Sequence, residues 1–152
     1  MNSYKINDLK VGHIEQFDVT VTESMMKKFI EISGDINPLH SNSKFAINSG
    51  YSDRVVFGML TSSFYSKLVG VHLPGKYALL NNIKIDFIKT VFVNDKLKIL
   101  GEVKTIDNRF NFITVRSKIM RDESSVSRAD IRVGFNEWYF TYNRSLIKYR
   151  MQ

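Results

Sequence analysis

The amino-acid sequence predicts an α+β fold with helices in the front half and an antiparallel sheet in the back half. Apolar residues recur at helical spacing up to Ser33 and again over residues 59–69, whereas period-two alternation begins at Tyr77. The alternating segments are rich in Ile, Val, Phe and Tyr, and they lie near residues 78–92, 96–107, 110–121 and 126–142. Short polar connections between such segments are typical of hairpins, so we expect four long antiparallel strands.

A strand and a helix precede that sheet. Residues 12–22 alternate well enough for a strand that ends near Thr22. Thr22 or Ser24 can cap the following helix, because a side-chain oxygen there accepts a hydrogen bond from a free backbone N–H. The apolar spacing stops at Ser33, and Gly34 can take the left-handed conformation that ends many helices.

Two further helices are expected before Tyr77. The first runs from residue 41 to 46 and is capped by Ser41 or Ser43. The second follows Gly58 over residues 59–69, and its broad apolar stripe predicts deep burial. That stripe consists of Met59, Leu60, Phe64, Leu68 and Val69.

Composition is typical of one globular domain. The 152 residues are 43% apolar and 24% charged, and we place the domain at residues 1–142, followed by a basic tail or short helix at 143–152. No apolar run is long enough to cross a membrane, and residues 1–5 lack the apolar core of a signal peptide. The chain has no cysteine, which excludes disulfides and thiolate metal sites and suits a cytoplasmic protein.

The net charge of +7 is uneven along the chain. Residues 1–76 carry eight Lys and Arg against seven Asp and Glu, whereas residues 77–152 carry fourteen against eight. A basic half suits an anionic partner, such as nucleic acid, a phosphorylated cofactor or an acidic carrier protein. A solvated basic face is the alternative interpretation.

The segment from Phe29 to His40 is the strongest candidate for chemistry. It places the carboxylate of Asp35 and the imidazole of His40 five residues apart across a turn. Pro38 biases the preceding residue toward an extended backbone, which makes the loop short and stiff. Two proton-handling groups held at one point form a candidate general acid/base pair.

The same segment resembles the MaoC-like (R)-specific enoyl-CoA hydratases and 3-hydroxyacyl dehydratases. Residues 29–40 and the following Ala46 fit the hydratase pattern of that family. Further similar blocks follow in the expected order, at residues 55–60, 73–75 and 87–95. The resemblance covers roughly residues 10–140.

The resemblance implies a hot-dog fold, in which an antiparallel sheet wraps around a central helix, and a homodimer or higher homo-oligomer. It implies hydration of trans-2-enoyl thioesters or dehydration of (3R)-3-hydroxyacyl thioesters, carried on coenzyme A or acyl carrier protein. No metal or redox cofactor is implied, and coenzyme A or phosphopantetheine enters only as part of the substrate. Asp35 and His40 would hold and activate the water or hydroxyl, and Asn37 would support the loop.

Further candidates surround this pair. The backbone N–H of Gly58, just before the buried helix, is a candidate oxyanion donor because N–H groups at a helix start are unpaired. Ser66 resembles a family serine near the catalytic pair, with either an orienting or a packing role. Core or acyl-pocket positions are expected for Val56, Phe57, Leu60 and Tyr65.

One position departs from the family pattern. Phe57 stands where most relatives have a histidine, immediately before Gly58. That histidine is not the principal acid/base group, so Phe57 bears on hydrogen bonding around the thioester, and hence on rate and substrate preference. It also leaves open a degenerate relative kept for binding or assembly.

Two other functions remain open from sequence. A hot-dog acyl-thioesterase would share the fold, but residues 59–69 contain no Asp or Glu, whereas thioesterases usually carry a carboxylate near the central helix. A basic nucleic-acid-binding sheet would need exposed aromatic residues between cations, and Arg109, Phe110, Phe112, Arg116 and Lys118 offer such a pattern. We expect neither a nucleic-acid nor a membrane partner.

Overall fold

The computed structural model describes residues 1–136, which form one sheet and several helices. The strands are β1 (Ile14–Thr20), β2 (Ala78–Phe87), β3 (Lys96–Asp107), β4 (Phe112–Arg121) and β5 (Ser124–Phe135). The α-helices are α1 (Glu23–Ser33), α2 (Pro38–Ser41), α3 (Ser43–Asn48) and α4 (Gly58–Lys67). The expected end of the domain at residue 142 and the tail at 143–152 lie outside the described residues.

All five strands pair antiparallel in the order β1-β3-β4-β5-β2. Alternate side chains of β3, β4 and β5 are buried and join residues of α4 in one hydrophobic cluster. Gly101 of β3 permits the close packing of the chain after α4, because a Cβ there would lie 2.7 Å from Cδ2 of Leu68. The predicted α+β class and the hot-dog arrangement around one central helix are confirmed.

The ends of α1 form as the sequence predicts. The Oγ1 atom of Thr22 accepts a hydrogen bond from the backbone N–H of Met25 at 3.2 Å. At the other end Gly34 is left-handed, with a φ of 69°, and its N–H donates to the carbonyl of Ile30 at 2.8 Å. This end directs the chain into the segment that carries Asp35.

The segment after Asp35 is more helical than expected. Pro38 begins α2 instead of only interrupting a helix, because its missing N–H costs nothing at a first helical position. The prediction that a serine caps α3 is wrong. The cap is Asn42, whose side-chain oxygen accepts from the N–H of Phe45 at 2.9 Å.

One expected core residue and two predicted element ends also differ from the structure. Met59 was expected in the apolar stripe of α4, but it is 63% exposed and is not part of the hydrophobic cluster. Beyond α4 the chain continues as a π-helical turn, Leu68–His72. β2 ends at Phe87 instead of residue 92, since the N–H of Ile88 already bonds the carbonyl of Val126 outside the regular ladder.

Within residues 1–136, no helix combines the length and hydropathy that a membrane-crossing segment requires.

Candidate active site

The turn that carries Asp35 is held by its own side chains. The backbone N–H of Asp35 donates to Oγ of Ser33, and Oδ1 of Asp35 accepts from the N–H of Asn37 at 3.0 Å. The side-chain oxygen of Asn37 in turn accepts from the N–H of Leu39 at 2.9 Å and caps α2. Asn37 therefore organises the short helix on which His40 lies, as a loop-supporting residue would.

His40 is oriented by a carbonyl fifteen residues further along the chain. Its Nδ1 lies 2.7 Å from the carbonyl oxygen of Val55, and the N–H of Val55 bonds back to the carbonyl of Leu39. A carbonyl can only accept, so the proton of a neutral imidazole is on Nδ1 and the lone pair is on Nε2. The ring thus presents Nε2 as its proton-accepting atom.

The start of α4 offers unpaired backbone donors beside His40. Gly58 is the first residue of α4, and its N–H has no acceptor within residues 1–136. The hydroxyls of Thr61 and Ser62 donate to the carbonyl of Gly58 at 2.7 and 2.9 Å, which holds the first turn together. The positive end of the helix dipole favours developing negative charge at this position.

His40 and Gly58 line the same cleft, which has a volume of about 280 Å³. The remaining lining includes the end of β2, the chain that follows it and the start of β5. The cleft residues are His40, Val55, Val56, Gly58, Thr61, Phe87, Ile88, Lys89, Thr90, Val91, Val126 and Ser127. The lining is mostly apolar, with a proton-handling ring and a helix N-terminus together, an arrangement suited to binding and polarising a carbonyl compound.

The structure separates the expected pocket residues. Val56 lines the cleft, but Phe57, Leu60 and Tyr65 do not, and all three are buried in the core behind it. The Phe57 ring packs 4.1 Å from the His40 ring and 5.0 Å from that of Phe29, centroid to centroid. Phe57 therefore contacts the candidate catalytic histidine without reaching the cleft.

Asp35 and Ser66 lie further from the cleft than the sequence suggests. Both are exposed, and neither contributes to the cleft lining. Among the described residues, no hydrogen bond joins either of them to His40. A single copy of the chain thus brings together His40 and Gly58, but not the full set of expected residues.

Sequence reasoning missed the Tyr65–Ser127 pair. The Tyr65 hydroxyl donates to Oγ of Ser127 at 3.0 Å, and burial raises the pKa of Tyr65 to about 12. Lys89 was also missed, although among residues 1–136 it is the one Lys or Arg in the cleft lining, and its Nζ donates to Oγ of Ser124 at 3.1 Å. Only the period-two alternation around residue 127 hinted at an inward serine.

Within residues 1–136 no three His, Asp and Glu side chains lie in an arrangement that could hold a metal ion.

The fold and the cleft define a hot-dog protein whose site combines an imidazole with a helix N-terminus. Residues 10–124 match the MaoC like domain family, and the chain belongs to that family.

Individual relatives agree with this membership. The chain is 30% identical over 110 residues to an (R)-specific enoyl-CoA hydratase of Rhodospirillum rubrum, covering 72% of this chain and 76% of the relative. It is 34% identical over 98 residues to a mitochondrial 3-hydroxyacyl-[acyl-carrier-protein] dehydratase of Arabidopsis thaliana, covering 64% of this chain but only 57% of the relative.

A solved structure shows the same architecture. It is that of an (R)-hydratase from A. caviae involved in PHA biosynthesis, with a TM-score of 0.80 and 26% identity. The alignment covers 84% of this chain and 97% of the A. caviae chain.

Proposed function

We propose that the protein is a hydro-lyase that hydrates trans-2-enoyl thioesters with (R) specificity or dehydrates (3R)-3-hydroxyacyl thioesters. The observation that carries the proposal is the shared cleft of His40, with Nε2 as its accepting atom, and Gly58, with an unpaired N–H. Relatives named as an (R)-specific enoyl-CoA hydratase and an acyl-carrier-protein dehydratase support it.

The chemistry assigns one task to each group. In hydration, a water oxygen forms a bond to C3 while a proton is added to C2, and the thioester oxygen carries negative charge in between. Asp35 and His40 share the two proton transfers around one water, and the N–H of Gly58 donates to the thioester oxygen. Positioned proton transfer contributes about 10²–10⁴-fold, and a lost oxyanion donor costs about 2.7–4 kcal/mol.

The remaining site residues act through these three. Asn37 keeps α2, and with it His40, in place through the cap on the N–H of Leu39. Ser66 lies on the exposed side of α4 and is proposed to orient the pair once that side is covered.

A second copy of this chain is proposed to cover the exposed side of α4. β2 is an edge strand, and its exposed side chains include Leu79, Leu80 and Phe87. Exposed apolar edge strands pair readily with other chains. Sedimentation analysis of the purified protein tests this: a dimer is expected, and a monomer at assay concentrations would refute it.

The substrate carrier is proposed to be coenzyme A or the phosphopantetheine arm of a carrier protein, with no separate cofactor. Lys89 supports this choice, because it places a cation in the cleft lining and both carriers bear phosphate. The cytoplasmic location remains a prediction from the sequence.

Turnover of crotonyl thioesters tests the proposed function. Wild-type protein should convert crotonyl-CoA to (3R)-3-hydroxybutyryl-CoA without releasing free thiol. The measurements are loss of enoyl absorbance, chiral analysis of the product and a thiol assay. Release of coenzyme A as the main product would instead identify a thioesterase, and no conversion of any enoyl thioester would refute the proposal.

A further inference from the structure

Two buried hydroxyls line the cleft, and they differ in where their hydrogen atoms are directed. Thr61 and Ser127 are almost fully buried, with 3% and 2% of their surface exposed. The hydroxyl of Thr61 donates inside its own helix, to the carbonyl of Gly58 at 2.7 Å. Within residues 1–136 the hydroxyl of Ser127 has one partner, the hydroxyl of Tyr65.

Tyr65 fixes the direction of the hydrogen bond to Ser127. Its side chain is fully buried, and among the described residues Oγ of Ser127, at 3.0 Å, is the one acceptor for its hydroxyl hydrogen. A buried donor without an acceptor keeps its whole desolvation cost, so Tyr65 donates and Ser127 accepts. A serine hydroxyl carries one hydrogen of its own, and that hydrogen is then left for a molecule in the cleft.

The sheet register places Ser127 beside the start of α4. Ser127 of β5 lies directly opposite Phe87 of β2, and residues paired in this way direct their side chains to the same face of a sheet. The Phe87 ring covers Gly58, because its Cε1 lies 3.0 Å from the position that a Cβ of residue 58 would take. Tyr65 lies further along α4, and helical side chains lean back toward the N-terminus of their helix. Ser127 therefore approaches the same end of α4 as the N–H of Gly58, from the side of the sheet.

The thioester oxygen is the substrate atom that needs donors at this place. Negative charge develops on it during the reaction, and enzymes stabilise such charge with backbone N–H groups and with side chains that include serine. The acyl chain of a simple enoyl thioester offers no acceptor, so a hydroxyl facing only that chain would stay unpaired. A hydroxyl that Tyr65 already orients also needs little reorganisation as the charge develops.

We propose that the hydroxyl of Ser127 is a second donor to the thioester oxygen, beside the N–H of Gly58, and that Tyr65 positions it. The inference rests on the proposed function, because the charge that Ser127 stabilises develops during hydration or dehydration. The proton stays on Ser127 throughout, so this residue stabilises charge, and the proton transfers remain with Asp35 and His40.

Steady-state kinetics of folded variants test the role of Ser127. In the full-length chain, Ser127→Ala should lower kcat for crotonyl-CoA hydration by about 10²-fold, with KM changed by less than about threefold, because the lost contact strengthens in the transition state. Ser127→Thr keeps the hydroxyl and should retain most of the wild-type kcat. The matched control is Ser117→Ala, which removes another buried serine hydroxyl of the sheet from outside the cleft lining and should leave kcat and KM near wild type.

Tyr65→Phe tests the positioning role. It leaves the hydroxyl of Ser127 in place without a fixed orientation, so kcat should fall by a smaller factor than in Ser127→Ala. If Tyr65 acts through Ser127, adding Tyr65→Phe to Ser127→Ala should cause no further loss of kcat. Losses that multiply in the double variant would contradict this positioning role.

The carbonyl stretch of a bound saturated thioester tests the contact without turnover. In isotope-edited infrared difference spectra, butyryl-CoA should show this stretch at a lower wavenumber on the wild-type protein than on Ser127→Ala, because a donated hydrogen bond weakens the C=O bond. An unchanged stretch would overturn the proposal. A kcat for Ser127→Ala within about threefold of wild type would also overturn it, and so would an equal loss in Ser127→Thr. If the wild-type protein converts no enoyl thioester, the proposed function fails, whereas a shifted stretch would still support Ser127 as a donor.

Discussion

The imidazole of His40 lies against the ring of Phe57, with centroids 4.1 Å apart and ring planes 38° apart. On the Nδ1 side the carbonyl of Val55 holds the same imidazole at 2.7 Å. One contact is apolar and the other fixes the tautomer, so together they restrict the orientation and the tautomer of the ring. Phe57 thus packs against the candidate catalytic histidine and restricts the orientation of its ring.

Phe57→Ala should loosen His40 as well as weaken the core. Removing a buried phenyl ring costs about 3–5 kcal/mol of the free energy of unfolding. Because the imidazole of His40 would lose this contact, kcat should also fall under conditions in which the variant is still folded. Denaturant unfolding and steady-state kinetics measure the two effects. Leu73→Ala removes another fully buried side chain and serves as the control, since it should lower stability while leaving kcat near the wild-type value.

Gly58→Ala should displace the oxyanion donor by a small distance. A Cβ at residue 58 would lie 3.0 Å from Cε1 and 3.1 Å from Cζ of Phe87, so the ring or the helix start must move. We expect kcat/KM to fall, by less than the about 10²-fold that a full 1 Å misplacement can cost. Adding Phe87→Leu makes room and should restore much of the loss. A double variant no better than Gly58→Ala alone would show that the clash is not the cause.

Glu23 and Arg54 should make stability depend on acid pH. Both guanidinium Nη atoms donate to the carboxylate, at 3.1 and 2.7 Å, and this lowers the pKa of Glu23 from its ordinary value of 4.5. The stabilisation is therefore present above pH 4.5 and is lost as the pH falls through the folded-state pKa. Glu23→Gln should lower the free energy of unfolding by about 0.2–1 kcal/mol at neutral pH, because the pair is partly exposed.

The difference between Glu23→Gln and wild type should shrink as the pH falls below 4.5 and vanish below the lowered folded-state pKa of Glu23. Chemical unfolding at several pH values measures it. Glu31→Gln, an exposed substitution on the same helix, is the control and should change the free energy of unfolding little. A constant difference across the whole range would mean that the ion pair does not contribute.

Tyr65 should make stability depend on alkaline pH. Burial raises its pKa from 10.0 to about 12, so the unfolded chain loses this proton at a lower pH than the folded one. The free energy of unfolding should therefore decline as the pH rises from 10 toward 12, and Tyr65→Phe should lack this component. Ser127→Ala should cost about 1–3 kcal/mol, because it leaves the Tyr65 hydroxyl without its partner, and much less in the Tyr65→Phe background.

Local sequence signals predicted much of this fold. The cap at Thr22, the left-handed Gly34 and the alternating strands depend on neighbouring residues, and the structure confirms them. The predicted end of β2 was wrong, because the position at which β2 ends depends on contacts with β5, which lies far along the chain.

Some features of the candidate site could likewise be predicted from local sequence, whereas others depend on the folded chain. The Asp35–His40 segment stands out by its composition, but the carbonyl that orients His40 belongs to Val55, and any residue type supplies a carbonyl. The Tyr65–Ser127 hydrogen bond joins residues 62 positions apart, so only the folded chain shows it. The exposure of Asp35 and Ser66 likewise follows from packing in three dimensions.

The initial rate of crotonyl-CoA hydration by His40→Ala and Asp35→Asn tests the central claim most directly. Circular dichroism and denaturant unfolding must first show that each variant folds like wild type. Each substitution should lower the rate by at least about 10²–10⁴-fold, because each removes a group that we propose to transfer a proton during hydration. Rates close to wild type in either folded variant would contradict the assignment of Asp35 and His40 as the acid/base pair.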